Sequence, residues 1–387
     1  MDFEKLDFIT QKFFINSKIL SINTINSGLI NKTYVIEHLH NGLKSKFILQ
    51  SLSNIFISHE IVNMNHRKIT DHIKKKINKS HSEFDVKKWK VPSLIRCKSN
   101  NLFGFPFESD YWRAMTYIDQ SLSFDSLVDE RMAYQTGLGL AKFHSLCSDL
   151  DCSKLQNSIE NFHNTRHYLD QYILTLKDSD FDKLDDDVKK RVDDLIIILS
   201  EHIRFVDFLL TSLSEKSIVH NVIHGDPKLS NFLFDIKNKY VVSLIDLDTV
   251  SSGYLLTDLA DCIRSICNFA GGNPKEIDHV CFDVNSCKYF LNGYFSISNE
   301  DKNESFRFLP EFIYLIIFEL TIRFLTDFLQ SNRYFKIKYE THNLFRAEVQ
   351  YQLLSSFLIQ IPDLLNELHE LGISSRPTFA SDVQKFV

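Results

Sequence analysis

The sequence predicts an α+β chain of two lobes, a small antiparallel-sheet lobe at the N-terminus and a larger helical lobe behind it. Three observations carry this. The first third alternates apolar and polar residues in β-branched runs. Beyond Ser126, all but one short insert repeats apolar residues at helical spacing. The composition is rich in large apolar residues and poor in chain breakers, with 33 Phe against 11 Gly and 7 Pro in 387 residues, which favours helices over a many-stranded sandwich. A chain of this length exceeds one small core and suits two units, placed at residues 1–118 and 119–387.

The elements follow in order. INTINSGLINKTYVIEHL and KSKFILQSL are two alternating runs around a turn at Asn41-Gly42. Ile61 to Asn78 is charged and reads as a helix, after which VPSLIRC and YWRAMTYID return to strand. The helical part begins with YQTGLGLAKFHSL, continues through DDVKKRVDDLIIILSEHIRFVDFLL and ends with the series from Pro310 to Leu371. Its strand-like insert is SIVHNVIHG, then NFLFD, then VVSLIDLD. Lys177 to Lys190 is acidic and polar, as expected of an exposed connection between helices. The chain shows no repeat of solenoid period and no low-complexity linker.

Bulk properties exclude several classes. Apolar residues make up 44% and charged residues 24%, a globular balance. The formal charge of −6 with no dominant basic face speaks against a general nucleic-acid partner. Cys97, Cys147, Cys152, Cys262, Cys267, Cys281 and Cys287 form no C-x-x-C pair and are odd in number, so reduced thiols are expected, not zinc or disulfides. The start, MDFEKLDF, is acidic and lacks the apolar core of a secretion signal. The most apolar helical run, Phe312 to Leu329, is interrupted by Glu319, Arg323 and Asp327 and is too short and charged to span a bilayer. A cytoplasmic protein with no membrane partner is the expectation; the oligomeric state is open. No P-loop motif occurs, and HEIVNMNH has Asn63 where a zinc helix needs His.

The strongest local signal is IHGDPKLSNFLFD at 223–235, followed by VVSLIDLDT at 241–249. Apolar strand residues lead into His224-Gly225-Asp226, Asn231 lies five residues on, and a second strand delivers Asp246. Phosphoryl transfer asks a protein for little covalent chemistry. It needs a carboxylate to orient the nucleophile and take its proton, and oxygen ligands for Mg²⁺. Asp226 suits the first task; Asn231 and Asp246 suit the second. Lys228 can reach the γ-phosphate and offset its charge. Asp248 is either a second metal ligand or a solvated turn residue. Asp258 and Asp261 stand at a helix start, where acids favour the dipole and capping is expected, and Arg264 can pair with Asp261.

This pattern resembles the D-x-K-x-x-N loop and later metal-binding Asp of protein kinases, and its His-Gly-Asp opening is closer to the aminoglycoside phosphotransferase and choline kinase superfamily. The resemblance implies a protein-kinase-like two-lobed fold and the use of ATP with Mg²⁺. Further stretches are similar to the N-acetylhexosamine 1-kinase family: SGLINKTYVI, FILQSLSNIF, NHRKITDHI, WRAMTYI, FHNT, IDLDTV and IRFLTDFLQSNRYF. What this likeness implies is phosphorylation of the anomeric hydroxyl of N-acetylglucosamine or N-acetylgalactosamine, a small-molecule sugar partner. By the same likeness Arg323 and Tyr334 match positions that hold the sugar. From the residues alone, Arg323 is equally a salt-bridge partner of Glu319 or Asp327, and Tyr334 a half-buried core aromatic.

The nucleotide is expected against Ser27, Gly28, Asn31, Thr33, Gln50 and Ile118. Two departures stand out. Leu29 and Ile30 follow Gly28 where the family often has more glycines or a His. Gln50 occupies the place of the protein-kinase Lys and brings hydrogen bonds without charge. Two other readings remain. One is a superfamily kinase for an amino alcohol, aminoglycoside or cyclitol, whose cation Glu311, Glu319, Asp327 and Glu348 would attract. The other is a catalytically silent scaffold, which the presence of Asp226, Asn231 and Asp246 disfavours.

Overall fold

The structure is a computed structural model, and it describes residues 3–25, 28, 30–79, 89–297, 304–373 and 379–386. The N-terminal part is built on an antiparallel sheet in the order β1-β2-β3-β6-β4, with β5 also paired to β6. The strands are β1 (Lys18–Ile25), β2 (Lys32–His40), β3 (Leu43–Leu52), β4 (Leu94–Ile95), β5 (Phe105–Phe107) and β6 (Asp110–Thr116). The expected Asn41-Gly42 turn joins β2 to β3, and both residues have positive φ, 50° and 78°. That is the primed hairpin turn whose twist matches the strands it connects.

Three details differ from the sequence reading. INTINSGLINKTYVIEHL is not one strand but β1 and β2, paired from Lys18↔Leu39 to Ile25↔Thr33. VPSLIRC contributes only the two residues of β4. A helix not expected from the pattern, α1 (Phe3–Phe13), lays Leu6, Ile9 and Phe13 onto Ile36, Phe47, Leu49 and Trp112 of the sheet. The expected helix is α2 (His59–Lys79); its Ile69 and Ile73 join the core of the helical part, so it welds the two parts together.

The helical part comprises α3 (Glu130–Cys147), α4 (Thr165–Asp178), α5 (Asp186–Ser214), α6 (Leu255–Ile266), α7 (Val284–Phe295), α8 (Leu309–Leu329), α9 (His342–Ile359), α10 (Ile361–Glu370) and α11 (Phe379–Phe386). Helices α3 and α7 cross at backbone contact. A Cβ on Gly137 would stand 2.0 Å from the Phe290 carbonyl oxygen, and one on Gly293 2.0 Å from that of Tyr134. Only a glycine pair permits that approach. Helix α8 is buried nearly all round, which explains its continuous apolar run without a membrane. Among the described residues no helix is long and apolar enough to cross one. All seven cysteines are free; five are buried, Cys152 is half-buried and Cys281 is exposed.

The strand-like insert forms two small ribbons that carry the motif. β7 (Ser121–Leu122), β9 (Phe232–Asp235) and β10 (Val241–Leu244) lie in the order β10-β9-β7. β8 (His220–Ile223) pairs antiparallel with β11 (Ser251–Tyr254). The loops leaving β8 and β10 therefore emerge side by side, facing the N-terminal sheet.

Candidate active site

The loop His224-Gly225-Asp226 is fixed by buried polar groups. Gly225 has φ +85°, and a Cβ there would meet the Thr249 carbonyl oxygen at 2.7 Å. Tight passage with left-handed backbone is the physical reason for Gly before the acid. His224 accepts the Asp226 N–H at 3.2 Å through Nδ1 and donates from Nε2 to the Ile245 carbonyl at 2.9 Å. Burial lowers the His224 pKa, consistent with this neutral tautomer. One imidazole thus ties the turn bearing Asp226 to the residue before Asp246.

Asp258 differs from its expected role. It does not cap α6: its carboxylate accepts the backbone N–H of His224 at 2.6 Å and of Gly225 at 2.8 Å, and pairs with His144 of α3 at 2.9 Å. Burial opposes ionisation, but His144, and then His224 through its ring and its N–H, outweigh it and lower the Asp258 pKa. His144 is held by the Tyr294 hydroxyl at 2.9 Å. Asp261, past the first turn of α6, does not cap it either, but it does form the expected pair with Arg264 at 2.8 Å.

Asp226 faces a cavity of about 650 Å³ between the two parts. Its Oδ2 meets the Lys228 ammonium, and Asn231 reaches it with Nδ2 at 3.4 Å and its carbonyl oxygen at 2.8 Å. That leaves the Asn231 amide oxygen for other partners. Burial lowers the Lys228 pKa, but the carboxylates of Asp226 and Asp246 outweigh it and raise it, so the ammonium stays charged. Asp246 sits in left-handed backbone at φ 66°. Burial, reinforced by the Asp248 carboxylate, pushes its pKa up to about 7. A carboxylate so placed favours a nearby cation.

Asp248 is not the solvated turn residue of the two readings, and it lines the cavity. It is buried, with Oδ1 on the Arg113 guanidinium and Oδ2 accepting the Asn31 amide at 2.8 Å. Arg113, on β6, was not singled out in the sequence. It stands opposite Gln50 on β3 and donates to the Gln50 Oε1 from Nε at 2.9 Å. Arg113 thus brings a charge next to Gln50, spent on the buried Asp248 carboxylate and outside the cavity lining. One N–H of the Gln50 amide goes to the Thr33 hydroxyl at 3.0 Å, and the side chain lines the cavity. Asn31 accepts the Ser53 N–H at 2.9 Å, so its side chain is likewise committed to structure.

At the far end, Arg323 of α8 is half-buried, 3.5 Å from Glu319, 3.4 Å from the Tyr334 hydroxyl and over the Tyr168 ring at 4.4 Å. Asp327 is not its partner. That carboxylate accepts the Tyr334 and Phe335 N–H groups at 2.7 and 2.9 Å, turning the chain back so that Tyr334 reaches Arg323. The cavity brings together Gly28, Asn31, Thr33, Gln50, Asp226, Lys228, Asp246, Arg323 and Tyr334. Asn231 sits behind the loop, outside the lining; Ile118 is buried, its carbonyl taken by the Ser121 hydroxyl at 2.7 Å. Ser27 lies outside the described residues. Among the described residues no group of three His, Cys, Asp or Glu forms a metal site.

A family model described as a phosphotransferase enzyme family matches residues 21–277. Solved structures similar to this chain include a microcompartment-associated aminopropanol kinase, at 12% identity and TM-score 0.56, covering 96% of this chain and 99% of that one. A choline kinase from Cryptosporidium parvum Iowa II follows at 13% and 0.55, covering 98% and 100%. A spectinomycin phosphotransferase in complex with ADP and spectinomycin follows at 14% and 0.53, covering 91% and 96%. At these identities the likeness is one of fold, and it is the protein-kinase-like two-lobed fold.

Proposed function

The chain belongs to the phosphotransferase enzyme family, and from that premise we propose that it transfers the γ-phosphoryl group of ATP to the anomeric hydroxyl of an N-acetylhexosamine, with Asp226 as base. The observation that carries this reading is the meeting of Asp226, Lys228 and Asp246 with the Arg323–Tyr334 pair in one cavity. Asp226 orients the hydroxyl and takes its proton as the bond to phosphorus forms. Lys228 keeps charge beside it. Arg323 and Tyr334 offer the acceptor hydrogen-bond donors from the opposite wall, on the strength of the family likeness. Gly28, Thr33, Gln50 and the backbone around Asn31, which line the cavity, would face the nucleotide, and Ser27 and Ile118 are assigned to it on the family likeness alone. The lobe boundary at 118/119 belongs to the same reading: β6 ends at Thr116 in the large sheet and β7 begins at Ser121 in the small one. A cytoplasmic location is supported by the seven free cysteines.

The site fits Mg²⁺. Its donors are oxygens, the amide nitrogen of Asn231 is already spent, and half-buried Asp246 lies in a negative field that a cation relieves. Asn231 and Asp246 would hold the ion, which would neutralise charge on the phosphates. Turnover should vanish with chelator and return with Mg²⁺ or Mn²⁺, and Asp246→Ala should abolish it. Survival of both turnover and metal-dependent nucleotide binding in that variant would remove Asp246 from the role.

A cationic acceptor finds few free carboxylates. Of the acids expected to attract it, Glu319 is engaged by His163, Thr165 and Arg323, Asp327 by backbone N–H groups, and Glu348 by Arg191 at 2.6 Å; Glu311 does not line the cavity. The deciding assay offers ATP with N-acetylglucosamine, N-acetylgalactosamine, glucose, choline, 1-amino-2-propanol and an aminoglycoside. The N-acetyl sugars should be preferred over glucose, because a site built to bond an amide rejects a ligand lacking it. The product should lose reducing-sugar reactivity and show phosphorus coupling to the anomeric proton. A product that still reduces overturns the anomeric assignment; turnover of amines alone overturns the sugar.

A further inference from the structure

His163 occupies an uncommon conformation. It and Asn161 have positive φ, 58° and 52°, in the segment entering α4. Non-glycine residues rarely adopt that backbone unless their surroundings hold them in it. Its ring lies between two elements of the site. Nδ1 is 3.3 Å from a Glu319 carboxylate oxygen on α8, and Nε2 is 2.6 Å from the Gly225 carbonyl oxygen.

Neither partner can donate. A carbonyl only accepts, and Glu319 is ionised: burial opposes the charge, but His163 and then Arg323 and Thr165 outweigh it and lower its pKa. The second Glu319 oxygen is taken by the Thr165 hydroxyl at 2.7 Å. A neutral imidazole has one N–H and would leave one acceptor facing a lone pair. Both contacts require both ring nitrogens protonated. The groups around this ring are Glu319 and Arg323 on α8, the Gly225-Asp226 loop, and Asp261 on α6.

We infer that His163 is an imidazolium clamp, a positioning residue that ties the acceptor-binding helix α8 to the peptide immediately before Asp226. This rests on reading the cavity as a phosphoryl-transfer site. Through Gly225 the clamp sets the base; through Glu319 it sets Arg323, which shares that carboxylate. When the proton leaves, Glu319 keeps only Arg323 and Thr165, and α8 is released from the loop.

The pH dependence follows. Burial lowers the His163 pKa, but the Glu319 contact outweighs it and raises it above the ordinary 6.5. A raised folded value means the clamp is complete below about 6.5 and is lost as pH climbs through the folded value. Acceptor kcat/KM should therefore fall on the alkaline side. His163→Gln, which keeps a single donor nitrogen, puts an acceptor oxygen at the other position and cannot titrate, should lose on the order of 10²-fold in acceptor kcat/KM, the cost of a slightly misplaced base. It should also lose that alkaline limb, with the ATP KM unchanged. An unchanged limb in the variant overturns the inference. To keep the test independent of the variant's folding, the ¹⁵N shifts of the imidazole are read in the wild-type protein without turnover. Two protonated nitrogens at pH 6.5 are expected, and a neutral ring there overturns the clamp. A charged ring in a protein that phosphorylates no acceptor would overturn the phosphotransfer reading instead, and the positioning role with it.

Discussion

Asp226→Asn should lower turnover by about 10²–10⁴-fold while nucleotide affinity stays unchanged. The structure says why the substitution is a clean test. The side chain keeps its shape, and the loop is held by bonds it does not make: His224 to the Asp226 N–H and to Ile245, and Asp258 to the two N–H groups before it. Lys228 selects the remaining amide oxygen, because an ammonium cannot face an NH₂. The nitrogen then points where the acceptor hydroxyl must give up its proton. A proton acceptor has become a donor, and neither geometry nor nucleotide contacts have changed. Near-normal turnover would remove Asp226 from the role. A parallel loss of nucleotide affinity would mean that the loop itself had moved.

That loop was legible in the sequence because its parts are local. Asp226, Lys228 and Asn231 lie within six residues, and a strand of ordinary length fixes the distance to Asp246. Chemistry that needs neighbouring groups leaves a short motif. The residues that hold the motif in place left none. His144, Asp258 and His163 act on it from three different helices or their entries, and nothing in a local pattern separates them from capping acids or core histidines. In the sequence Asp258 looks like a cap, because an acid in a first helical turn usually is one. What turns it into a loop anchor is that β8 and α6 pack against each other, a tertiary fact. The strand-rich first third was visible from alternation, yet α1 was passed over. Leu6, Ile9 and Phe13 do carry helical spacing, but over only three turns beside a charged start.

Arg113 is the clearest case of a supporting residue hidden by distance, and the second large effect is expected there. Its charge is buried, 1% exposed, and its carboxylate partner Asp248 is 4% exposed and 135 positions away. Asp248 also holds Asn31, so one carboxylate ties β6 and the β1–β2 loop of the N-terminal sheet to the turn carrying Asp246. Replacing such a pair as a unit is often cheap, but removing one member strands a charge in the interior. Asp248→Asn should therefore cost about 3–5 kcal/mol in urea unfolding, with the slope against denaturant unchanged. Arg113→Met should cost a similar amount, since it strands Asp248 beside Asp246. The double substitution should cost clearly less than the two single losses added together, because each single variant carries a penalty that the other relieves. Raising the salt should change none of these values much, as buried charges are screened little. Additive losses, or single losses under about 1 kcal/mol, would mean that water reaches the pair and that it behaves as a surface bridge. In that event the tie between the sheet and the Asp246 turn must come from Asn31, Ser53 and the Lys336 contact to the Asn31 carbonyl.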